Sequence, residues 1–233
     1  METIISLLET IGVFLVGLIA RGGLVVGVIA VLSLPLMLAA LAMRAADEIK
    51  RRQLALRDVA GLLFRPDLWY APNHTWMARR RGGTLVVGLD DLALRLLPTV
   101  TRVDVPRAGT SVKKGEPIAT VFAGGRAIAI PSPVSGTIEG GNRAVASDPA
   151  IVKREGYGRG WLAAVVPADE SYGELPRGDK AERFMKAESA RWNRLLEEQL
   201  GFAAADGGHL VTTAPVAVGE PGWRKLVAAF VGA

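Results

Sequence analysis

The chain has no cysteine and only two histidines, His74 and His209, among its 233 residues. The first absence removes disulfides, thiolate metal sites, iron–sulfur clusters and cysteine nucleophiles together. The second leaves any zinc site dependent on carboxylates, and none are spaced to complete one. Aromatic residues are only 6% of the chain, so its 50% apolar content comes mainly from alanine, valine, leucine and isoleucine. No Gly-x-y period marks collagen, and no long polar tract marks bulk disorder. Phosphate loops, nucleotide fingerprints and nucleophile motifs are all missing, so nothing points to an enzyme or to a small-molecule substrate. The pI of about 9.8 raises the question of nucleic acid. There is, however, no zinc-finger or helix-turn-helix signature and no basic stripe interleaved with aromatics.

What is present separates into two parts. From Gly22 to Met43 no residue is charged. At a rise of about 1.5 Å per residue, this stretch is long enough to cross a hydrocarbon core of about 30 Å. Pro35 is tolerable there, since the bilayer enforces helix and neighbouring groups absorb one lost hydrogen bond. Residues 3–20 are also apolar but contain Glu9 and end at Arg21, so they read as a second, marginal span or as an interfacial helix. A cleaved signal peptide would need a basic start and a shorter apolar core, so residues 1–43 are expected to be a retained anchor. Arg44, Lys50, Arg51, Arg52 and Arg57 follow the span, against Arg21 alone before it. The positive-inside rule then places the bulk of the protein in the cytoplasm, with the basic cluster beside anionic headgroups of the inner membrane. Residues 44–67 form a juxtamembrane section. Its stretch 45–64 reads as a continuing amphipathic helix, with Ile49, Leu56 and Leu63 on one stripe beside Val59 and Ala60, stopped by Arg65-Pro66.

After Pro66, short apolar runs alternate with turn signals: Thr84 to Gly88, Val100 to Val105, Ile118 to Phe122, Ala127 to Ile130, Gly136 to Glu139 and Leu162 to Val166. This spacing predicts a small β barrel or sandwich. The paired glycines of Ala123-Gly124-Gly125-Arg126 suit a tight hairpin turn. Asp90 and Asp91 diverge in direction as neighbours and are expected to cap a helix over 92–97. His74 is expected to be a hydrogen-bonded structural residue.

In order along the chain stand His74-Thr75-Trp76, Val87-Gly88-Leu89-Asp90-Asp91-Leu92-Ala93, and Val105-Pro106-x-x-Gly109-Thr110-x-Val112-Lys113-Lys114-Gly115-Glu116. Ser132-Pro133-Val134-Ser135-Gly136, Ser147-Asp148-Pro149-Ala150-Ile151-Val152 and Tyr157-Gly158-x-Gly160-Trp161-Leu162 follow. Six such fragments in this order resemble the glycine cleavage system H protein. The resemblance covers less than half of the chain. It implies a barrel-sandwich hybrid over 68–169, the flattened barrel of lipoyl and biotinyl carriers, so the expected fold is mainly β with helical additions.

H proteins hold lipoate as an amide on a lysine at a hairpin tip, a fixed distance before the Ser-Pro-Val-Ser-Gly stretch. Counting back from Ser132, that position falls on Gly125, with Arg126 next and Phe122 in place of the usual acidic residue. Glycine has no side chain, and a guanidinium stays protonated and is a poor acyl acceptor. Lys113, Lys114 and Lys153 are expected to be solvated turn charges. No bound cofactor or metal is therefore expected. The tip of Phe122, Gly124, Gly125 and Arg126 is open to two readings: an unused turn shortened to Gly-Gly, or a protein-binding knob built on Phe122 and Arg126.

Residues 170–201 contain an amphipathic helix at 179–200, with Asp179 as cap, Gly201 as stop, and Phe184, Ala187, Ala190/Arg191, Leu195 and Leu196 on its apolar face beside a packing Trp192. In the extension 202–233, His209 to Val218 reads as a hairpin or short strands. Glu220-Pro221 then opens a last helix with Trp223, Leu226, Val227 and Phe230 on one face. Three functions follow. The first is a membrane-anchored, lipoate-free H-protein-like scaffold serving an unidentified protein or membrane complex. The second is a lipoyl carrier in glycine decarboxylation using a displaced lysine, with Lys113 and Lys114 the residues to mutate. The third is a lipoyl-like adaptor of an export or ion-translocating complex, disfavoured because Val121 to Pro131 leaves no room for a coiled-coil insertion.

Overall fold

The computed structural model describes residues 32–46, 48, 49, 52–200 and 219–232. It divides into two units, Met1–Gln53 and Leu54–Ala233. In the first, residues 32–46 form helix α1, and 48, 49, 52 and 53 are also helical. Its large apolar side chains face outward: Leu32, Leu36, Met37, Leu41 and Met43 are all more than half exposed. Among the described residues no helix is long and apolar enough to cross a membrane. The expected span 22–43 is described only from residue 32 onward, and residues 3–20, Lys50, Arg51 and the expected strands of 209–218 lie outside the described residues. Arg44 lies in α1 and Arg52 pairs with Glu48 at 3.1 Å.

The second unit opens with a correction. The helix expected over 45–64 stops at residue 53, and strands β1 (Arg57–Val59) and β2 (Leu62–Phe64) pair antiparallel. Ala60 and Gly61 lie in the left-handed region (φ 50° and 80°), as a two-residue hairpin turn demands. The Asp58 carboxylate accepts from Gly61 N at 3.0 Å and closes the turn. Leu62 and Phe64 are fully buried with Leu63 half-buried between them, a period of two rather than of 3.6. The seven-residue spacing of Ile49, Leu56 and Leu63 mimics a helical stripe, and turn chemistry overrides it. Arg57 sits on β1, 3.9 Å from the Glu182 carboxylate.

Next come β3 (Trp69–Tyr70), β4 (Thr75–Arg79), β5 (Leu85–Leu89), helix α2 (Asp91–Leu96), β6 (Val100–Asp104) and β7 (Ser111–Val112). They are followed by β8 (Pro117–Ala123), β9 (Arg126–Pro131), β10 (Gly136–Gly141), short helices α3 (Arg143–Ser147) and α4 (Ile151–Arg154), and β11 (Ala163–Pro167). A 3₁₀ turn (Ser171–Glu174) leads to α5 (Asp179–Leu200), and α6 (Gly219–Phe230) ends the described chain. One sheet has the order β3-β4-β5-β11-β10-β7 and the other β6-β8-β9. Strands β5, β6 and β8 to β11 lie where the apolar runs predict them. Strands β3, β4 and β7 and helices α3 and α4 carry no such run.

Inward residues of both sheets, β2, α2, α5 and α6 share one apolar core. Trp76 stacks on Tyr157 (centroids 6.3 Å apart), which meets Tyr70 edge-on at 6.5 Å. The Tyr157 hydroxyl donates to Leu63 O at 2.7 Å and accepts from Asp91 N at 3.1 Å, fixing the β1–β2 hairpin to α2. Asp91 accepts from Leu63 N at 2.9 Å and pairs with Arg95 at 2.7 Å, so only Asp90 is the cap. Burial pushes the Asp91 carboxyl above its usual range, although Arg95 pulls the other way.

Helix α5 turns a different face inward than its alanines suggest. Ala181, Met185, Ser189, Trp192 and Leu196 are buried, whereas Ala187 and Ala190 are exposed. Small side chains contribute little transfer free energy, so Trp192 and Met185 set the rotation. The face expected of α6 is buried as read: Trp223, Leu226, Val227 and Phe230 all face the core.

Gly88 in β5 marks the tightest backbone approach to the aromatic layer. A Cβ there would stand 2.4 Å from the Trp76 ring, whose Nε1 donates to Leu89 O at 2.9 Å. Gly88→Ala is expected to lower the unfolding free energy by about 1–3 kcal/mol through overpacking, measured by urea denaturation in mild detergent. Unaltered stability would mean that the Trp76 indole is not held as described.

Candidate functional site

The β8–β9 hairpin is built by alternation. Ile118, Val121, Ala123, Ile128 and Ile130 face the core, and Gly124 and Gly125 turn the chain with φ of 56° and 77°. A Cβ on Gly124 would meet Pro98 at 2.9 Å, whereas one on Gly125 would have no atom within 4 Å. Cross-strand partners share a face. Ala123 pairs with Arg126, and Phe122 pairs with Ala127. Arg126 therefore lies on the inner side with buried Ala123, and Phe122 on the outer side. The knob expected from Phe122 and Arg126 together is split.

Each half has its own partner. The Arg102 guanidinium sits 3.7 Å from the Phe122 ring centroid and pairs with Asp104 at 3.1 Å. Arg126 lies over Trp223 of α6 at 4.5 Å and forks onto Glu220, with Nε donating to Oε1 at 3.1 Å and Nη2 to Oε2. Trp223 Nε1 donates to Leu96 O at 2.7 Å, satisfying a carbonyl at the end of α2.

The hairpin contains no lysine from Pro117 to Pro131. Lys113 and Lys114 are exposed in the preceding turn, as expected, where Glu116 accepts from Lys113 N at 2.8 Å and Ser135 Oγ from Lys114 N at 3.0 Å. Lys153 is exposed, as expected, but stands on α4 rather than in a turn. Its Nζ donates to Leu97 O beside the C-terminal end of α2, and partial burial draws its pKa below the usual lysine value.

The other polar centre surrounds His74. The turn before β4 holds His74 at φ 56°, a conformation that costs about 1 kcal/mol for a side-chain-bearing residue. Its imidazole is completely buried between Phe184 and Phe230 (centroids 5.7 and 5.4 Å). Nδ1 faces Asp90 Oδ2 at 2.7 Å and Nε2 faces Glu188 Oε2 at 3.3 Å, which also accepts from Arg191 Nη1 at 3.2 Å. Burial disfavours the imidazolium, but the charge and hydrogen bond of Asp90, followed by those of Glu188, outweigh it and raise the pKa to about 9. With both nitrogens taken, the ring offers no lone pair for a metal. Among the described residues no cluster of His, Asp or Glu could hold one.

A profile of the family "Glycine cleavage H-protein" matches residues 68–188, which is more than half of the chain. The chain belongs to the glycine cleavage H-protein family. Glycine cleavage system H protein 3 of Aquifex aeolicus is 32% identical over 142 residues, covering 58% of this chain and 88% of that protein. The H protein of Halorhodospira halophila is 36% identical over 105 residues, covering 45% and 81%. The crystal structure of an H protein from Mycobacterium marinum aligns with 28% identity and a TM-score of 0.42, over 48% of this chain and 97% of that one. The match runs from residue 68, just before β3, into α5. Proteins of this family are non-catalytic carriers that normally hold lipoate. At the hairpin tip Gly124 and Gly125 have no side chain, and the Arg126 guanidinium is tied to α6.

Glu188, Arg191 and Trp223 are the site residues that local reading misses. Their partners His74, Ala229 and Leu96 lie 114, 38 and 127 positions away, and no spacing rule reaches so far.

The raised His74 pKa has a definite sign. Its contribution to stability is complete below the unfolded value of 6.5 and fades as pH rises through the folded value of about 9. On the acid side, Glu188 is held below the usual carboxylate range by the His74 hydrogen bond, and its contribution fades as pH falls through that lowered value. Stability from urea titrations is expected to drop between these two histidine values by at most about 1.4 kcal/mol per pH unit. His74→Gln should flatten that slope. A slope in the variant equal to that of the parent would remove His74 as its source.

Proposed function

We propose that this H-protein-like chain is a non-lipoylated scaffold, held at the cytoplasmic face of the inner membrane and serving a protein partner or membrane complex rather than carrying aminomethyl groups. The observation that carries the lipoate-free reading is the hairpin tip, where the position of the family's lysine falls on Gly125 and the hairpin offers no amine to acylate. Arg126, the next residue, is committed to Glu220 and Trp223. The alternative, a carrier using a displaced lysine, draws support only from exposed Lys113 and Lys114, which precede β8. An adaptor with a coiled-coil insertion finds no room in the two-residue turn between β8 and β9.

Intact mass after expression in a lipoylation-competent host tests this reading. The parent chain is expected unmodified. Gly125→Lys places an amine where its Cβ meets no neighbour, and so reports whether the attachment machinery can reach the tip. A lipoyl adduct on the parent would overturn the proposal, and peptide mapping would then assign it to Lys113, Lys114 or elsewhere.

The membrane part rests on the uncharged stretch 22–43 and the exposed apolar side chains of α1. The lack of cysteine makes site-directed labelling clean. Ser111→Cys, at an exposed position on β7, is expected to react with a membrane-impermeant maleimide only after the inner membrane is opened. Labelling in cells with an intact inner membrane would place the β domain outside, and recovery in the soluble fraction would remove the anchor.

A further inference from the structure

Helix α6 lies beyond residue 188, where the family match ends, yet it covers the inner side of the hairpin tip. Its hold combines apolar anchors with polar contacts. Glu220 takes the Arg126 fork, Trp223 reaches Leu96 O, and Phe230 packs on Trp192 at 5.5 Å between ring centroids. Arg191 Nη2 donates to Ala229 O at 2.9 Å. An acidic residue, then anchors at the third, seventh and tenth positions after it (Trp223, Val227, Phe230), form the pattern by which an amphipathic helix lies in a groove.

An open surface groove runs beside α6 and β9, lined by Arg126, Ile128, Glu220, Trp223, Arg224 and Val227. Trp192, fully buried beneath Phe230, has an indole N–H with no acceptor among the described residues. Such an orphaned donor leaves the desolvation of its N–H uncompensated. The Arg126–Glu220 pair is 38% exposed on both sides, so water screens it. A competing helix with more bulk along the open groove would make contacts there that α6 does not.

We infer that the seat of α6 is a helix-docking groove, that α6 occupies it in cis as a displaceable plug, and that its partner is an amphipathic helix with an acidic first turn and a tryptophan three residues on. Displacing the plug frees Arg126 for the partner's carboxylate, and the partner helix then covers the inner side of the tip in place of α6. This goes beyond the scaffold reading and does not depend on lipoate or on the anchor, so intact mass and labelling test those separately.

The test uses the full chain in mild detergent and a fluorescent peptide of residues 219–232. Cis and trans occupants compete for one groove, so a single substitution should act in opposite directions. Glu220→Gln in the chain loosens the plug and is expected to tighten peptide binding by about threefold to tenfold, whereas the same change in the peptide should weaken it similarly. Amide exchange should show residues 219–230 opening more readily than β8 and β9. No peptide binding to the Glu220→Gln chain, or α6 amides opening only as slowly as those of β8, would overturn the inference. A concentration-dependent dimer that vanishes when residues 219–233 are deleted would also overturn it, by assigning the groove to a second copy.

Discussion

The imidazole of His74, fully buried with a carboxylate at each ring nitrogen, is the constraint that orders the helices around the β domain. A buried cation is tolerated only while its partners are held in place, and each partner is shared. Asp90 also caps α2 through Ala93 N at 3.0 Å. Glu188 is steadied by Arg191, which lies over Phe230 at 4.9 Å and holds Ala229 O of α6. One titratable ring thus connects the turn before β4, the start of α2, the middle of α5 and the end of α6. Loss of His74 would leave the fully buried Asp90 carboxylate without its counterpart. The apolar core supplies much of the stability, but this chain of contacts specifies where the helices sit.

The hairpin tip shows how one turn can serve two surfaces. Two left-handed glycines make the tightest connection available, and strict alternation then sends Arg126 inward and Phe122 outward. The inward residue is covered by α6. The outward aromatic is capped by Arg102 and half-exposed. In a family of carriers this is the working end. Here the groups gathered at the tip are a guanidinium, a carboxylate and an indole.

Much of the β domain was legible in the residues. Alternating apolar runs mark β5, β6 and β8 to β11, Gly-Gly marks the tip, and the ordered family fragments mark the domain. Two-residue β3 and β7 are too short to show a period, and they exist because neighbouring strands supply hydrogen-bond partners. The β1–β2 hairpin was hidden by a coincidental seven-residue spacing. Its stability comes from Tyr157, Asp91 and Arg95, which contact it from distant parts of the chain.

By itself the sequence determined composition-level exclusions, family membership, the lysine-free hairpin and the glycine turn, because each depends on residue identity and near neighbours. Only the tertiary structure decided that Phe122 and Arg126 point to opposite sides, that Lys153 donates to Leu97 O, that α5 buries Trp192 rather than its alanines, and that α6 covers the tip. The reason is physical. Which face a side chain presents, and which charge meets it there, is set by burial among elements far apart in the chain, and no local pattern carries that information.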